Sequence, residues 1–285
     1  MRTYPAPQAK TPLRPLLKWA GGKSRLLSHI LPALPAGQRL LEPFVGGASV
    51  FLGSNFEQYV LGDNNHHLIE LYRAVAEHPC EFIERTSEFL HESYRTATRF
   101  QEVRALFNRE TDPLARASYF LYLNKFGFNG LCRYNGSGQF NVPYGKPDRV
   151  PRLPRDEILG FASKAESAQI IAGDFTEIML MARPGDTVYC DPPYLDRDGA
   201  ASFRAYGAAG FSLDRQQELA NLARQLAGQG ISVAISNHDC AHARELYEGA
   251  SISTFSARRS ISAAAGSRGE VSELLAVFGP TFGRR

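Results

Sequence analysis

Short apolar runs alternate with amphipathic segments along much of the chain. The runs read RLLEPF, YVLGD, AQIIAG, TVYCD, ISVAIS and SELLAVF. Between the later runs lie segments with apolar residues at helical spacing, namely FTEIMLMA, LDRQQELANLARQLA and AHARELYE. Because this alternation is typical of parallel strands joined by crossover helices, it predicts an α/β fold built on a parallel sheet.

A long segment without strand-like runs interrupts the alternation. From about His66 to Asn124 the apolar residues recur every three or four positions, which predicts helices. From Lys125 to Pro154 the chain is rich in glycine, asparagine and proline, yet it is too aromatic for a flexible linker, and long loops of this kind are usually functional. We therefore predict an α/β domain made of residues 1–65 and 154–285, split by an inserted, mostly helical domain over residues 66–153.

Two glycine-containing turns precede the insertion. The first lies in LLKWAGGKSRLLSHILPAL, which predicts a loop running into an amphipathic helix. It is unlike a Walker A loop, because Leu17 stands where that motif needs glycine and no strand comes before it. Further on, RLLEPF, VGGAS and VFLGSNF predict the strand, tight turn and helix of a nucleotide-type unit. Gly46 and Gly47 would let the backbone approach a ligand closely, although the turn is not G-x-G-x-x-G.

The composition is that of an ordinary globular protein. The 285 residues are 44% hydrophobic, enough for one sizeable α/β core and a smaller appended unit. No run approaches the roughly 18 apolar residues of a membrane span, and the first residues lack the apolar core of a signal peptide. The four cysteines are scattered, without a CxxC pair or a histidine at metal-ligand spacing. We therefore expect a cytoplasmic protein with free thiols and no bound metal.

Positive charge is concentrated between Arg116 and Arg155. That window holds seven basic residues and one acid, Asp148, so it carries +6 and leaves −3 for the remainder of a chain whose total is +3. Eight aromatic residues from Tyr119 to Tyr144 are interleaved with the bases. Basic and aromatic side chains together suit a nucleic acid whose bases can stack on the protein. On composition alone, a solvated basic face is an equal alternative.

The most specific motif is Asp191-Pro192-Pro193-Tyr194, which follows the apolar run TVYC. Open α/β sheets bind ligands at the carboxyl ends of their strands, where this turn is predicted to lie. The prolines fix φ and remove two backbone donors, so we expect a stiff turn whose carbonyl oxygens and carboxylate have no internal partners. Such an acceptor-only pocket suits a planar base that carries an amino group and lies against Tyr194. The alternative is a strand-ending turn with a buried tyrosine.

These motifs resemble the Dam family of DNA adenine methylases. The family's order is kept, from Leu17 to about Phe278, by LLKWAGGK, LLEPFVGGASVFL, NGLCRYN, FNVPYGK, DPPY, ISNHD and RRSIS. A glycine turn first, a recognition region next and DPPY last is the arrangement of the α group of amino methyltransferases. The resemblance implies a Rossmann-like methyltransferase fold that uses S-adenosylmethionine and no metal. It also implies that residues 66–153 form a target-recognition domain carrying a β-hairpin loop, and that the rest forms the catalytic domain.

By the same resemblance, a cofactor site joins both glycine-containing turns to the ends of two strands. The residues implied are Trp19, Lys23, Phe44, Gly46, Gly47, Asp63 and Asp191. Asp63 ends the run YVLGD, where nucleotide-type folds place the acid that binds ribose hydroxyls. Taken alone, Asp63 could equally be the N-cap of the next helix. Ala48 stands where many methyltransferases have glycine, which leaves the geometry of the turn open.

The stretch NKFGFNGLCRYNGSGQFNVPYGK resembles the target-reading hairpin of the same family. Arginine can read guanine O6 and N7 with two hydrogen bonds, and leucine or proline can touch the thymine methyl group. We therefore predict base contacts from Leu131, Arg133 and Pro143, which together indicate the sequence GATC. The other predicted DNA contacts are Lys18 beside the duplex, Phe128 and Asn129 as the wedge that extrudes the adenine, Asn135, and Lys146 on a phosphate.

ISNHD and RRSIS carry weaker signals. Asn237, His238 and Asp239 follow a predicted strand and could cap a helix, and Arg258 and Arg259 could be a surface pair. We expect these residues to be structural and close to the DNA.

Taken together, the sequence predicts methyl transfer from S-adenosylmethionine to N6 of a flipped adenine in double-stranded DNA, with S-adenosylhomocysteine as the product. Asp191 and the Pro192 carbonyl would hold the amino group. Cys190 is not expected to act as a nucleophile, since that chemistry belongs to cytosine C5 methylation. The alternatives are an amino methyltransferase acting on cytosine N4 or on RNA, and a catalytically silent DNA-binding regulator gated by S-adenosylmethionine. We expect a monomer without an obligatory protein partner.

Overall fold

The computed structural model describes residues 13–195, 211–258 and 270–279. In these ranges the helices are α1 (Leu27–Ala33), α2 (Ser49–Gly53), α3 (His66–Glu77), α4 (Pro79–Ser87), α5 (Ala97–Phe107), α6 (Pro113–Phe126), α7 (Arg155–Ala165), α8 (Phe175–Met179), α9 (Leu213–Gly228) and α10 (Ala241–Leu246). The strands are β1 (Arg39–Glu42), β2 (Gln58–Asp63), β3 (Ala168–Ala172), β4 (Thr187–Cys190), β5 (Ser232–His238), β6 (Ser251–Arg258) and β7 (Glu270–Phe278). Short 3-10 helices lie at Lys23–Arg25, Glu92–Tyr94 and Phe128–Gly130. Among these elements, no helix has the length and apolarity needed to cross a bilayer.

The described strands form one sheet in the order β3-β2-β1-β4-β5-β7-β6. The first five of these run parallel, whereas β7 is antiparallel to both of its neighbours. The predicted α/β fold is confirmed, but the expectation that SELLAVF continues the parallel order is wrong. Only residues 259–269 connect β6 to β7, and a parallel crossover needs a dozen residues or more.

Each face of the sheet buries its own hydrophobic cluster. Leu40, Leu61 and Tyr189 point to one face, where they join buried residues of α1 to α7. Leu41, Val60 and Val188 alternate to the other face and pack against α8, α9 and α10. Because side chains alternate along a strand, a strand that is covered on both faces must be apolar throughout. This explains why the central runs lack the polar alternation of a half-exposed sheet.

The helical periodicity at positions 66–124 is confirmed by α3 to α6, which follow β2 and come before α7 and β3. After α6 the chain folds back on itself over residues 127–146, hereafter loop 127–146. Antiparallel bridges join Gly127 to Tyr144 and Tyr134 to Phe140. In addition, the Phe128 N–H donates to the Pro143 carbonyl at 2.9 Å. These bonds close the loop without forming continuous strands.

Candidate active site

The glycine turn, the end of YVLGD and the DPPY turn meet at the carboxyl edge of the sheet. Strand β1 pairs with β2 on one side and with β4 on the other. The glycine turn follows β1, Asp63 ends β2, and Asp191 directly follows β4. Since these parallel strands end at the same edge, the turn lies between the two carboxylates in the order of the sheet.

The glycine turn lies directly against the indole of Trp19. A Cβ atom on Gly46 would lie only 2.8 Å from Trp19 Nε1, and one on Gly47 only 3.1 Å from the Trp19 Cβ atom. Larger residues at either position would displace the indole. Ala48 has a φ of +57°, so the turn reaches the left-handed conformation without a third glycine. That conformation costs an alanine about 1 kcal/mol, which α2 and the surrounding core must offset.

Asp63 is held by backbone donors on both carboxylate oxygens. Its Oδ2 accepts from the Gly46 N–H at 3.1 Å, and its Oδ1 accepts from the Asn65 N–H at 3.0 Å. Burial raises the pKa of Asp63 to about 6, although these backbone bonds act in the opposite direction. The N-cap of α3 is Asn65, whose side chain accepts from the Leu68 N–H. The helix-cap interpretation of Asp63 is therefore wrong.

Asp191 forms a close ion pair with Lys23. Lys23 Nζ lies 2.8 Å from Asp191 Oδ1, and it also donates to the Gly21 carbonyl at 2.8 Å. The same ammonium lies 4.7 Å from the centre of the Tyr194 ring. Burial raises the pKa of Asp191, and the charge of Lys23 opposes that rise. The expectation that this carboxylate has no internal partner is wrong, because the short 3-10 helix before α1 supplies a buried cation, Lys23.

The two prolines of the motif present their carbonyls differently. The Pro193 carbonyl accepts a hydrogen bond from Gln216 Nε2 at 2.7 Å. Among the described residues, by contrast, no donor is bonded to the Pro192 carbonyl. The Tyr194 hydroxyl donates to Glu273 at 3.0 Å, and its ring meets His238 edge-on. The Pro192 carbonyl is thus available to a ligand, whereas the bond to the Pro193 carbonyl holds the turn in place.

The segment 18–24 contacts all parts of this region. Lys23 reaches Asp191, Trp19 covers the glycine turn, and the Ser24 hydroxyl lies 3.0 Å from that of Ser49 at the start of α2. On the other side, Asn124 near the end of α6 holds the segment through both polar atoms of its side-chain amide. It accepts from the Lys18 N–H at 2.9 Å and donates to the Lys18 carbonyl at 2.7 Å.

The same amide connects the segment to loop 127–146. Asn124 Nδ2 donates to the Gly130 carbonyl at 3.1 Å. A Cβ atom on Gly130 would lie 2.4 Å from the Lys18 Cβ atom, so the two backbones approach too closely for any side chain. The loop that carries the predicted base contacts therefore packs directly against the chain that leads to Lys23.

The predicted DNA contacts lie mostly at exposed positions of loop 127–146 and its neighbour. Phe128 is 48% exposed, a high value for a large apolar side chain. Lys18, Asn129, Arg133, Pro143 and Lys146 are also exposed, and Leu131 and Asn135 are half-buried. Asn129 and Lys146 have left-handed φ values of +53° and +49°, which places strained backbone at both ends of the loop.

Asn141 orients the guanidinium of Arg133. Arg133 Nε donates to Asn141 Oδ1 at 2.7 Å, and Nη2 donates to the Asn141 carbonyl at 3.1 Å. Both partners belong to the opposite arm of the same loop. The guanidinium is thus held in a defined plane while its side chain remains exposed.

Part of the basic and aromatic window is structural. Arg116 forms an ion pair with Glu70, and Lys125 Nζ donates to the Leu16 carbonyl at 2.5 Å. Burial lowers the pKa of Lys125 to about 8. Four of the eight aromatic residues are fully buried, namely Phe120, Tyr122, Phe126 and Phe140. The interpretation of the whole window as a stacking surface was therefore too broad, since half of its rings are buried in the core.

Several residues of this region carried no signal in the sequence patterns. Glu42 ends β1 with only 2% of its surface exposed, and burial raises its pKa to about 8. Gln216 and Glu273 bond the DPPY turn from α9 and β7. A single acid or amide in an otherwise periodic run does not reveal whether it is buried, so the only available signal was its place at a strand or helix end.

Further residues named from the sequence are Phe44, Cys190, residues 237–239 and Arg259. Asn237 and His238 lie within β5, and Cys240 is the N-cap of α10, so the helix-cap interpretation of Asn237, His238 and Asp239 is wrong. Phe44 packs against Phe175 and Phe211 with ring centres 5.3 and 5.7 Å away. Cys190 is fully buried in β4, which raises the pKa of its thiol. Arg259 lies outside the described residues.

Comparison with known proteins gives one consistent family. The model of the family described as D12 class N6 adenine-specific DNA methyltransferase matches residues 19–261. Proteins named DNA adenine methylase from Salmonella typhi and Vibrio cholerae are each 44% identical to this chain, over 267 and 269 residues. One from Escherichia coli K12 is 43% identical over 267 residues. Each alignment covers 94% of this chain and 96% of the relative.

Proposed function

The chain belongs to the family of D12 class N6 adenine-specific DNA methyltransferases, and we propose that it methylates N6 of adenine at GATC in double-stranded DNA. The observation that carries this proposal is the position of the DPPY turn. Asp191 and the Pro192 carbonyl follow β4 at the sheet edge that also holds the glycine turn and Asp63. A target amine and a nucleotide-like cofactor can both reach that edge.

The residues at the edge fit S-adenosylmethionine. Asp63 is a partly buried carboxylate suited to accept hydrogen bonds from ribose hydroxyls, and Gly46 and Gly47 keep the turn free of side chains. Trp19 and Phe44 add flat apolar surface, and Lys23 and Asp191 add charges for the polar end of the molecule. When bound, S-adenosylmethionine supplies an activated methyl group on its sulfonium.

Asp191 and Pro192 prepare the amine of the substrate. The lone pair of an aromatic amine is delocalised into its ring, which makes the nitrogen a weak nucleophile. Hydrogen bonds from the two N6–H groups to the Asp191 carboxylate and the Pro192 carbonyl localise that pair on nitrogen as attack begins. Tyr194 lies beside the same carboxylate and offers a ring against which the base can lie. The proton on the product amine can pass to water, so no dedicated base is needed.

Residues 66–153 read the target in this proposal, and residues 1–65 and 154–285 form the catalytic domain. The exposed and oriented guanidinium of Arg133 suits the O6 and N7 atoms of guanine. Phe128 and Asn129, at the strained first end of the loop beside Gly130, form the wedge that helps the adenine leave the duplex. Leu131 and Pro143 contact the thymine methyl group, Asn135 contacts the DNA, and Lys18 and Lys146 contact the backbone.

Methyl incorporation into defined duplexes tests the proposal. The wild-type protein should transfer tritiated methyl from S-adenosylmethionine to a GATC duplex, with the label recovered as N6-methyladenine. Asp191→Ala should lose at least about 100-fold in kcat and retain duplex binding. Asp214→Asn, on the exposed first turn of α9, is the matched control and should retain full activity.

Three outcomes would contradict this proposal. Label recovered as N4-methylcytosine would indicate a different amino methyltransferase, and label only in RNA would indicate a different substrate. Salt-sensitive DNA binding without any product would indicate a silent regulator.

Digestion of plasmid DNA tests the sequence specificity. Plasmid from cells that express the protein should resist an endonuclease that cuts only unmethylated GATC, and it should be cut by an endonuclease that requires methylated GATC.

A further inference from the structure

Two buried amide side chains lie behind the DPPY turn. Gln216, in the first turns of α9, is 1% exposed, and Asn237, near the end of β5, is 0% exposed. Both lie among the apolar residues of the cluster formed by α8, α9 and α10. Burying an amide in such a place is unfavourable unless its polar atoms are bonded. Their polarity therefore needs a reason beyond packing.

The two amides hold the backbone of residues 193–195. Gln216 Nε2 donates to the Pro193 carbonyl at 2.7 Å, and Asn237 Oδ1 accepts from the Leu195 N–H at 3.1 Å. Asn237 Oδ1 also accepts from its neighbour's N–H, that of His238, at 2.8 Å. On its other side, Asn237 Nδ2 donates to the Tyr247 hydroxyl at 2.9 Å and lies 3.4 Å from Gln216 Oε1. Their hydrogen-bonding capacity is thus spent inside the protein.

The sequence of the turn explains why these bonds matter. Pro192 and Pro193 have no N–H, so the turn cannot close itself by ordinary backbone bonds. The Pro193 carbonyl and the Leu195 N–H can instead be fixed by side chains from outside the turn, and the amide pair binds both. Because the ring of Pro193 fixes φ, the direction of its carbonyl restricts the direction of the Pro192 carbonyl one peptide earlier.

We propose that Gln216 and Asn237 are positioning residues for methyl transfer. They set the orientation of the Pro192 carbonyl and, through it, the pair of acceptors that Pro192 forms with Asp191. The inference rests on the proposed function of this turn in binding the target amine. Its consequence is specific: loss of the pair should slow the chemical step and leave cofactor and DNA affinity unchanged, since neither amide has a polar atom left for a ligand.

The test replaces Gln216 by methionine, which has similar volume and cannot donate a hydrogen bond. Gln217→Met, one position along on the exposed face of α9, is the matched control. In single-turnover assays with a GATC duplex, Gln216→Met should lower the rate of methyl transfer about 10- to 100-fold, because displacements near 1 Å at a reacting group have that effect. The Kd values for S-adenosylmethionine and for the duplex should stay within twofold of wild type, and the control should match wild type.

A second variant keeps the inference testable if the first one fails to fold. Gln216→Asn retains the amide but is one methylene shorter, so it should fold, lose the Pro193 bond and show the same drop in rate with unchanged Kd values. An unchanged rate in both variants, or a loss of rate matched by weaker cofactor binding, would overturn the inference. A wild-type protein without adenine methylation would instead overturn the proposed function, so the two failures are distinct.

Discussion

Asp63 combines partial burial with backbone hydrogen bonds at the carboxyl edge of the sheet. Burial raises the pKa of Asp63 to about 6, so this carboxylate changes charge close to physiological pH. Ionised, it can accept hydrogen bonds from two hydroxyls, whereas its protonated form has lost one acceptor site and the negative charge that makes such bonds about twice as strong. The affinity for a ribose should therefore depend on pH through this one side chain.

The affinity for S-adenosylmethionine should fall as the pH is lowered through 6. Below that value, the Kd should rise by up to about tenfold per pH unit, because only the ionised fraction of Asp63 binds well. Titrations by calorimetry between pH 5 and 8 would measure this dependence. Asp63→Asn should bind more weakly at pH 8 and lack the inflection near 6. Parallel curves for the two proteins would show that another group is responsible.

For single residues, the sequence indicated the main hydrogen-bond acceptors of the candidate site but not the side chains that bond to them. Asp191 and Asp63 were predicted from their places at the ends of apolar runs, and both lie at the carboxyl edge. The ion pair between Lys23 and Asp191 was not predicted, because nothing in local spacing says which distant cation will reach a carboxylate. Glu42 was missed for a related reason, since one acid inside RLLEPF does not alter the strand pattern.

Among the elements, α6 and loop 127–146 contain the same basic and aromatic residue types. Composition alone does not show which of these residues stabilise the fold and which are exposed to solvent. Arg116 and Lys125 lie on α6 and bond other parts of the protein, whereas Arg133 and Lys146 lie on the loop and are exposed. The aromatic residues of α6 are buried on several sides of the helix. A helix buried all round has no polar face, so its periodicity gives little warning of which residues reach solvent.

Arg133→Ala and Lys146→Ala should affect DNA binding in different ways. Loss of a guanine-reading arginine should cost about 1–3 kcal/mol on GATC and much less on a duplex with that guanine replaced. Loss of a phosphate contact should weaken both duplexes equally and reduce the salt dependence by about one ion. Fluorescence anisotropy titrations at several salt concentrations would separate the two effects. Equal losses on both duplexes for Arg133→Ala would contradict a base-reading role.

The edge formed by β6 and β7 was the least predictable part of the sheet. SISTFSAR lacks a continuous apolar run, and Ser251, Ser253 and Thr254 are exposed along it. Such a strand depends on its neighbour, β7, more than on its own pattern. The antiparallel direction of β7 follows from the short connection to β6, which is a feature of chain length between elements rather than of residue type.

For the molecule as a whole, Glu42 makes stability depend on pH. Burial raises the pKa of Glu42 from 4.5 to about 8, with the nearby negative charge of Asp191 acting in the same direction. The folded protein therefore retains a proton that the unfolded chain releases between these values. Stability from this group is fully present below pH 4.5 and is lost as the pH rises through about 8.

Glu42→Gln should remove this dependence. A shift of this size corresponds to at most roughly 5 kcal/mol, so the variant should gain stability relative to wild type as the pH rises from 5 to 9. Urea unfolding at several pH values would measure the free energy difference between the two proteins. A difference that stays constant over this range would show that Glu42 titrates normally in the folded state.

The overall architecture was predictable to the extent that it follows from periodicity. The α/β class and the helical stretch after β2 came from the spacing of apolar residues, and both are present. What periodicity cannot give is the mutual placement of distant segments, such as the contact of Asn124 with both Lys18 and Gly130. That contact depends on side-chain amides meeting backbone groups far away along the chain.

The segment 18–24 has a consequence for how the protein is made. Its partner Asn124 lies 106 positions after Lys18, and Asp191 is translated later still. During synthesis, Lys23 cannot pair with Asp191 until the end of β4 has been translated, so the proposed methyl-transferring centre cannot assemble before then. Contacts so distant in the chain also make folding slow. In the proposed mechanism, a translation product that ends before β4 would therefore be unable to methylate DNA, however well its first helices had formed.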